Sequence, residues 1–195
     1  MKVLIVGATG KIGTAVTRLL ESKGHEVVEA SRSTQPDLDM LDTSSIESFY
    51  QNLGEVDSII STAGDAAFAS LDALTDEHIA TTVNSKLLGQ INLVRKGLSN
   101  LRAGGVIIIT GGMLAYSPWP QTSLVAMVNA GLEGFAKAAA LDLTEGRRIV
   151  IVHPPLIAET AAQMGMDTAP WPPADKAAEA YLKALEGDMS GKPVF

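Results

Sequence analysis

Val3-Leu4-Ile5-Val6 is an unbroken apolar run, and the chain after it changes period: past Gly7-Ala8-Thr9-Gly10-Lys11-Ile12-Gly13, apolar side chains recur at Ile12, Val16, Leu19 and Leu20. A run that is apolar at every position predicts a strand covered on both faces, as in a parallel sheet. The second spacing predicts an amphipathic helix. The alternation continues. Gly24-His25 turns into a strand at Glu26 to Ala30, and Asp42-Thr43-Ser44-Ser45 caps a helix with Ile46, Phe49, Tyr50 and Leu53 on one face, ended by Gly54. Val56 to Ser61 is a third strand, followed by Thr62-Ala63-Gly64-Asp65 and a long helical region whose stripe is Val83, Leu87, Ile91, Val94 and Leu98. Gly104-Gly105 leads into a strand at Val106 to Thr110, the loop 111–121 into a helix from Thr122 to Thr144, and Arg148 to Val152 is a further strand. Beyond Pro154-Pro155 the pattern predicts a short helix near Ala158 to Gln163, a helix with Ala178, Tyr181, Leu182 and Leu185, and a last strand at Lys192 to Phe195. Strands alternating with helices imply right-handed parallel crossovers, hence a single α/β domain with a doubly wound parallel sheet in three layers, α/β/α.

The glycine-rich stretch falls on the first strand-to-helix turn. Glycine is needed there where φ is positive or where backbone must touch a ligand, and the helix start offers unpaired N–H groups and a positive dipole end to a pyrophosphate. Strand, Gly-x-x-Gly-x-x-Gly, helix and second strand together form a dinucleotide-binding fingerprint, so the domain reads as Rossmann-like. Gly7, Thr9, Gly10, Lys11, Ile12 and Gly13 are the expected cradle. At the end of the second strand an acidic residue would select NAD, whereas Ser31-Arg32-Ser33 offers a guanidinium fork and two hydroxyls suited to the 2′-phosphate of NADP. Glu29 competes for the ribose but lies two residues deeper along the strand. Asp39 is placed to accept from an adenine amino group, with Met40 covering a face of the ring.

Composition narrows the partners. The 195 residues carry 15 Lys and Arg against 22 Asp and Glu, a net charge of −7, which argues against a nucleic-acid partner because phosphate-backbone binding rests on clustered cations. No cysteine is present, so neither a disulfide framework nor a thiolate metal site is available, and no metal is expected. Met1-Lys2 runs straight into the first strand, and no apolar run approaches the ~18 residues that span a bilayer. A cytoplasmic protein without a membrane partner is the expectation.

Several stations in order resemble the short-chain dehydrogenase/reductase family over nearly the whole chain. Gly7 to Gly13 is similar to the family's cofactor loop, Asp39 to its adenine-contacting Asp, and Ser61-Thr62-Ala63-Gly64 stands where the family has Asn-Asn-Ala-Gly. Asn84 matches the active-site asparagine, and Val152-His153-Pro154-Pro155 stands where the family has Val-Asn-Pro-Gly, which implies that Ile157 contacts the nicotinamide carboxamide through its backbone. The same resemblance puts Val125 at the catalytic tyrosine, Asn129 at the catalytic lysine and Gly112 at the catalytic serine. Asn129 retains the ability to hydrogen-bond the ribose but brings no charge. Tyr116 and His153, expected on the cofactor edge, are the substitute proton donors, His153 the better because it titrates near neutrality. Trp119, Trp171, Met113, Met127 and Met164 are expected to line an apolar pocket for a small carbonyl or alcohol. Two functions follow: an NADP(H)-dependent oxidoreductase with a non-standard active site, or a non-catalytic NADP(H)-binding protein similar to the family's redox-sensing members. The helix from Thr122 to Thr144 is small and apolar nearly all round, which with the family resemblance implies a homodimer or homotetramer.

Overall fold

The computed structural model describes residues 1–195. Six strands form one parallel sheet: β1 (Lys2–Val6), β2 (Glu26–Ala30), β3 (Val56–Ser61), β4 (Leu101–Thr110), β5 (Arg148–Val152) and β6 (Pro193–Val194), in the spatial order β2-β1-β3-β4-β5-β6. Every neighbouring pair is parallel, with β1 in register Val3↔Val27 on one side and Val3↔Ser58 on the other. The strand order reverses between β1 and β3, so the crevice for a ligand opens beyond the carboxyl ends of those two strands.

Each strand sends alternate side chains to opposite layers. Val3, Ile5, Ile60, Val106, Ile108, Val150 and Val152 meet α1 (Lys11–Ser22) and α7 (Ala174–Glu186), the latter through Ala178, Tyr181 and Leu185. Leu4, Val6, Ile59, Ile107, Ile109, Ile149 and Ile151 face the other layer, made of α2 (Thr43–Leu53), α4 (Gln90–Gly97) and α5 (Ser123–Asp142). Burial on both faces explains the unbroken apolar runs of β1, of β4 from Val106 to Ile109 and of β5 from Ile149 to Val152. The 20-residue α5 is long and apolar enough to cross a membrane by composition, more so than the sequence pattern suggested, but it packs on the sheet with Val128, Leu132 and Ala136 wholly buried.

Two boundaries differ from the sequence reading. β4 starts at Leu101, before the Gly104-Gly105 pair, because its pairing with β3 shifts register between Val56↔Leu101 and Ser58↔Val106 and absorbs the glycines as an irregularity. The single long helix after β3 is instead α3 (Asp76–Thr82), a π-helical turn over Val83–Gly89, and α4. The fully buried positions of this stretch include Thr82, Ser85 and Gln90, not the apolar stripe alone. The reason is the strand-to-helix segment 62–70 beneath it, which has no ladder partner: Thr82 Oγ1 accepts from Ala67 N–H at 2.9 Å and Ser85 Oγ from Asp65 N–H at 2.9 Å. Backbone donors that leave a sheet need such acceptors. A short helix, α6 (Ala158–Gln163), follows β5.

Candidate functional site

The first turn is built by close backbone approach. Gly7 has φ +86°, and a Cβ there would stand 2.8 Å from the Ala63 nitrogen; a Cβ on Gly13 would meet the Gly7 carbonyl oxygen at 2.0 Å. β1, the start of α1 and the end of β3 therefore pack at glycine distance. Gly10 caps α1 without a side-chain hydrogen bond, and the first turn carries no acidic residue, so the helix start keeps donors free for an anion.

Two adjoining clefts meet over this turn. The first, about 450 Å³, is lined by Gly7, Thr9, Gly10, Ser31, Arg32, Ser33, Asp39, Met40, Thr62, Ala63, Gly64, Asp65 and Ser85. Its far wall is tied together by hydroxyls: Ser31 and Ser33 share a 3.0 Å hydrogen bond, Ser33 N–H donates to Ser31 Oγ at 3.1 Å, and Ser33 Oγ lies 3.5 Å from Thr9 Oγ1. Arg32 is exposed and forms no ion pair, whereas Glu29 does not line the cleft. Asp39 Oδ1 already accepts from Leu41 N–H at 2.9 Å, leaving its second oxygen.

The second cleft, about 1000 Å³, shares Gly10, Thr62, Gly64 and Asp65 with the first and continues past Lys11, Ile12, Lys86, Thr110, Gly112, Val125, Asn129, Pro154 and Ile157. Trp119 and Trp171, with ring centroids 5.7 Å apart, close its apolar end together with Met113, Leu114, Leu156 and Met164. Met127, expected in this pocket, points outward and is 47% exposed, since its place on α5 is on the side away from the sheet. Lys11 reaches across to α6, donating to the Glu159 carbonyl at 2.8 Å and to Gln163 Oε1 at 2.6 Å. It clasps the two walls rather than standing free over the glycines. Gly13 and Ser61 lie beneath the clefts, the first as a packing contact and the second buried with its carbonyl accepting from Thr110 Oγ1 at 2.5 Å.

Asn84 is not in either cleft. It sits exposed on the outer side of the π-helical turn, and the residues that turn inward are Ser85 and Lys86. A π turn closes i→i+5 and so shifts which positions face inward relative to a regular helix count. It also frees a carbonyl: Gln90 Nε2 donates to Lys86 O at 3.1 Å and to Thr110 O at 2.8 Å, while Gln90 Oε1 accepts from Thr110 N–H at 2.8 Å. The ladder between β3 and β4 ends at Ile60↔Ile108, so this wholly buried glutamine takes the place of the missing strand partner at the tip of β4. Lys86 Nζ lies 3.4 Å from the same Thr110 carbonyl. Burial of its ammonium end lowers its pKa to about 8, against the opposing pull of the Asp65 carboxylate. Neither Lys86 nor Gln90 stood out in the sequence; the signal available was a lysine and a glutamine spaced four apart on a stretch expected to bury apolar residues.

Tyr116 and His153 are brought together, but behind the cleft wall. His153 is completely buried, its Nδ1 accepting from Gly112 N–H at 3.0 Å and its Nε2 3.3 Å from Glu133 Oε2. The Tyr116 phenol donates to the same carboxylate, and the Tyr116 and His153 rings stand edge to face at 5.3 Å. Neither lines the cleft. Burial holds the His153 pKa below its ordinary value despite Glu133, and partial burial plus the bond to Glu133 push Tyr116 up to about 12. Burial alone would raise the Glu133 carboxyl, but hydrogen bonds from Lys137 and Tyr116 keep it low. The pair at neutral pH is thus a carboxylate beside an uncharged imidazole, and neither ring lines the cleft as expected: the loop after β4 covers His153, and Tyr116, on that loop, is 47% exposed outside the cleft. Asn129, 1% exposed, does line the cleft; its Nδ2 donates to Gly112 O at 3.3 Å and its Oδ1 has no partner in the chain.

A nucleotide-sized trough at the β1/β3 reversal of a three-layer parallel α/β domain defines the class to which this chain belongs, the short-chain dehydrogenase/reductase family. A family model described as Enoyl-(Acyl carrier protein) reductase matches residues 3–182. The chain resembles the protein lin1944 from Listeria innocua at 37% identity and TM-score 0.92, covering 99% of this chain and 98% of that one. It resembles a small-chain dehydrogenase solved in complex with NADPH at 27% identity and TM-score 0.89, covering 100% and 95%. It is 24% identical to the 3-ketodihydrosphingosine reductase of Bacteroides thetaiotaomicron over 72% of this chain, spanning 58% of that protein's length.

Proposed function

We propose that the protein binds NADP(H) and interconverts a small, largely apolar carbonyl compound with its alcohol. The observation that carries this reading is the single trough running from Ser31-Arg32-Ser33, across the uncapped start of α1, to the bowl closed by Trp119 and Trp171. Its two ends suit two different ligands. Hydroxyls and an unpaired guanidinium at one end fit a 2′-phosphate, and the apolar walls of the other fit a substrate body.

The chain's own groups divide the work as follows. Gly7, Gly10 and the first amides of α1 receive the pyrophosphate, since both glycines line the cleft and the helix start has no side-chain cap. Asp39 and Met40 flank the adenine, and Thr62, Ala63 and Gly64 form the floor under the sugar-phosphate. Asn129 is placed for a ribose hydroxyl, which its orphaned Oδ1 would accept, and Pro154 and Ile157 edge the nicotinamide. When bound, a reduced nicotinamide supplies a hydride. Val125 and Asn129 replace the tyrosine and lysine that the family resemblance places there, so neither donates a proton. The presence of a dinucleotide relative solved with NADPH supports the cofactor class.

The test is calorimetric titration with NADPH and NADH, followed by a panel of aldehydes, ketones and quinones monitored by NADPH oxidation. NADPH binding tighter than NADH, with turnover of at least one apolar carbonyl, is expected. NADPH binding without any turnover supports the second reading, a cofactor-binding sensor, for which the observation in favour is the apolar Val125 in the position facing the bowl.

A further inference from the structure

We propose that Lys86 is the proton donor of this site, giving a proton from Nζ to the carbonyl oxygen of the substrate; the inference rests on the reductase reading above. Of the ionisable side chains lining the larger cleft, Lys11 is engaged by Glu159 and Gln163, and Asp65 is an acceptor. Lys86 is the third. It belongs to no ion pair, and the one acceptor in reach, the Thr110 carbonyl at 3.4 Å, is already held by Gln90 at 2.8 Å. An ammonium carries three donors, so two have no partner in the chain.

The fold gives this side chain a fixed path. Its stem lies against Gly64, φ +137°, where a Cβ would stand 3.1 Å from Lys86 Cα and 3.2 Å from its Cγ. The carbonyl that its π turn frees is taken by Gln90, which also pins the tip of β4. Charged and titratable groups face it from two directions: Asp65 from the segment after β3, which favours the ammonium, and His153 from the end of β5, with Glu133 and Lys137 behind it. His153 is uncharged at neutral pH, as its lowered pKa requires. A lysine whose titration lies near neutrality can both give and regain a proton during turnover.

The carbonyl carbon gains a hydride, and with it two electrons, from the reduced nicotinamide; the C=O π pair takes the proton as the Lys86 N–H bond breaks, leaving an alcohol and a neutral amine. Solvent entering the open cleft returns the proton to Nζ.

The experiment uses the full chain, labelled with ¹³C at the lysine ε carbon, together with Lys86→Met, which keeps the stem without the charge, and Lys86→Arg, which keeps the charge but cannot release a proton at working pH. The Lys86 resonance, identified by its loss in either variant, should titrate near pH 8, below the ordinary lysine value of about 10.4. Carbonyl reduction should fall as pH rises through about 8 in the parent. Both variants should lose about 10²–10⁴-fold in reduction and bind NADPH as the parent does. Parent-like reduction by either variant, titration of Lys86 at the ordinary lysine value of about 10.4, or NADPH binding lost in both variants would overturn the proposal; the last result would make Lys86 a cofactor ligand. A parent that does not bind NADPH overturns the reading of the cleft itself, and one that binds NADPH yet reduces no carbonyl in the panel overturns the reductase reading and this proposal together while leaving the cofactor site in place.

Discussion

His153, Asn129 and Arg32 are three polar residues, one sealed behind the cleft and two lining it, and each carries a consequence of its own. The imidazole is sealed against Gly112, Glu133 and the Phe195 ring, whose centroid is 5.9 Å away. Because burial lowers its folded-state pKa, the unfolded chain takes up a proton at pH values where the folded chain resists it. Stability should then be complete above the unfolded histidine value of about 6.5 and decline as pH falls below it. Thermal melts between pH 7.5 and 5 check this. His153→Phe should flatten that slope while costing about 1–3 kcal/mol, because the Gly112 N–H loses its acceptor. Asn129 occupies the space a side chain at position 112 would need: a Cβ on Gly112 would stand 2.8 Å from Asn129 Nδ2. The glycine and the asparagine are thus a matched pair. Arg32, exposed and unpaired at the rim of the first cleft, has nothing to do for the fold. Arg32→Ala should leave the melting temperature unchanged and weaken NADPH binding by about 1–3 kcal/mol, a contact to charged phosphate, with NADH binding unaffected. Calorimetry with both nucleotides checks it, and equal losses for the two would remove the phosphate assignment.

At the scale of elements, the tip of β4 depends on a helix rather than on its neighbouring strand. Beyond Ile60↔Ile108 the third strand turns away, with Thr62 N–H donating to Val6 O at 2.8 Å, and Gln90 supplies both the donor and the acceptor that Thr110 lacks. Gln90→Met, close in shape and without polar atoms at its tip, should cost about 1–3 kcal/mol by orphaning the buried Thr110 N–H and leaving the Thr110 carbonyl only the 3.4 Å approach of Lys86, read from urea unfolding. This dependence is the kind of feature that periodicity does not reveal. Strands β1, β3, β4 and β5 were legible because both faces are covered, and the glycine turn because Gly7 and Gly13 leave room where backbones meet. The stretch after β3 misled because its inward side is polar: Thr82, Ser85 and Gln90 satisfy loop and strand-end backbone, and side chains doing so look in sequence like a solvent face. The π turn compounded this by bringing Lys86 inward in place of Asn84. His153 was legible as a residue at a strand end and illegible in its direction, because the loop that covers it folds back from β4 through Met113 N–H to Pro154 O at 3.0 Å.

The whole molecule leaves one face unexplained by its own core. On α5 the positions turned from the sheet are Met127, Ala130, Gly134, Ala138 and Leu141, spaced three and four residues apart, all exposed, and free of charge. Met127 is 47% and Leu141 86% exposed, and a Cβ on Gly134 would meet nothing within 4 Å. Exposed apolar stripes on a folded chain mark contact surfaces, and small residues in the middle of this one let a second helix approach closely. Leu88, 43% exposed, is a further outward apolar side chain on the π turn that contacts α5. We expect this face to pair with its own copy about a two-fold axis, since an isologous contact places each stripe against its equivalent. Neither the stripe nor Leu88 lines the nucleotide clefts, so association and cofactor binding are separable. Sedimentation velocity at micromolar concentration should show a dimer or tetramer. Ala130→Glu with Gly134→Lys sets bulk and charge in the middle of the stripe without touching the core, and should shift the protein to monomer while leaving NADPH affinity as it was. A parent protein that sediments as a monomer would leave the stripe without a partner and overturn the assembly.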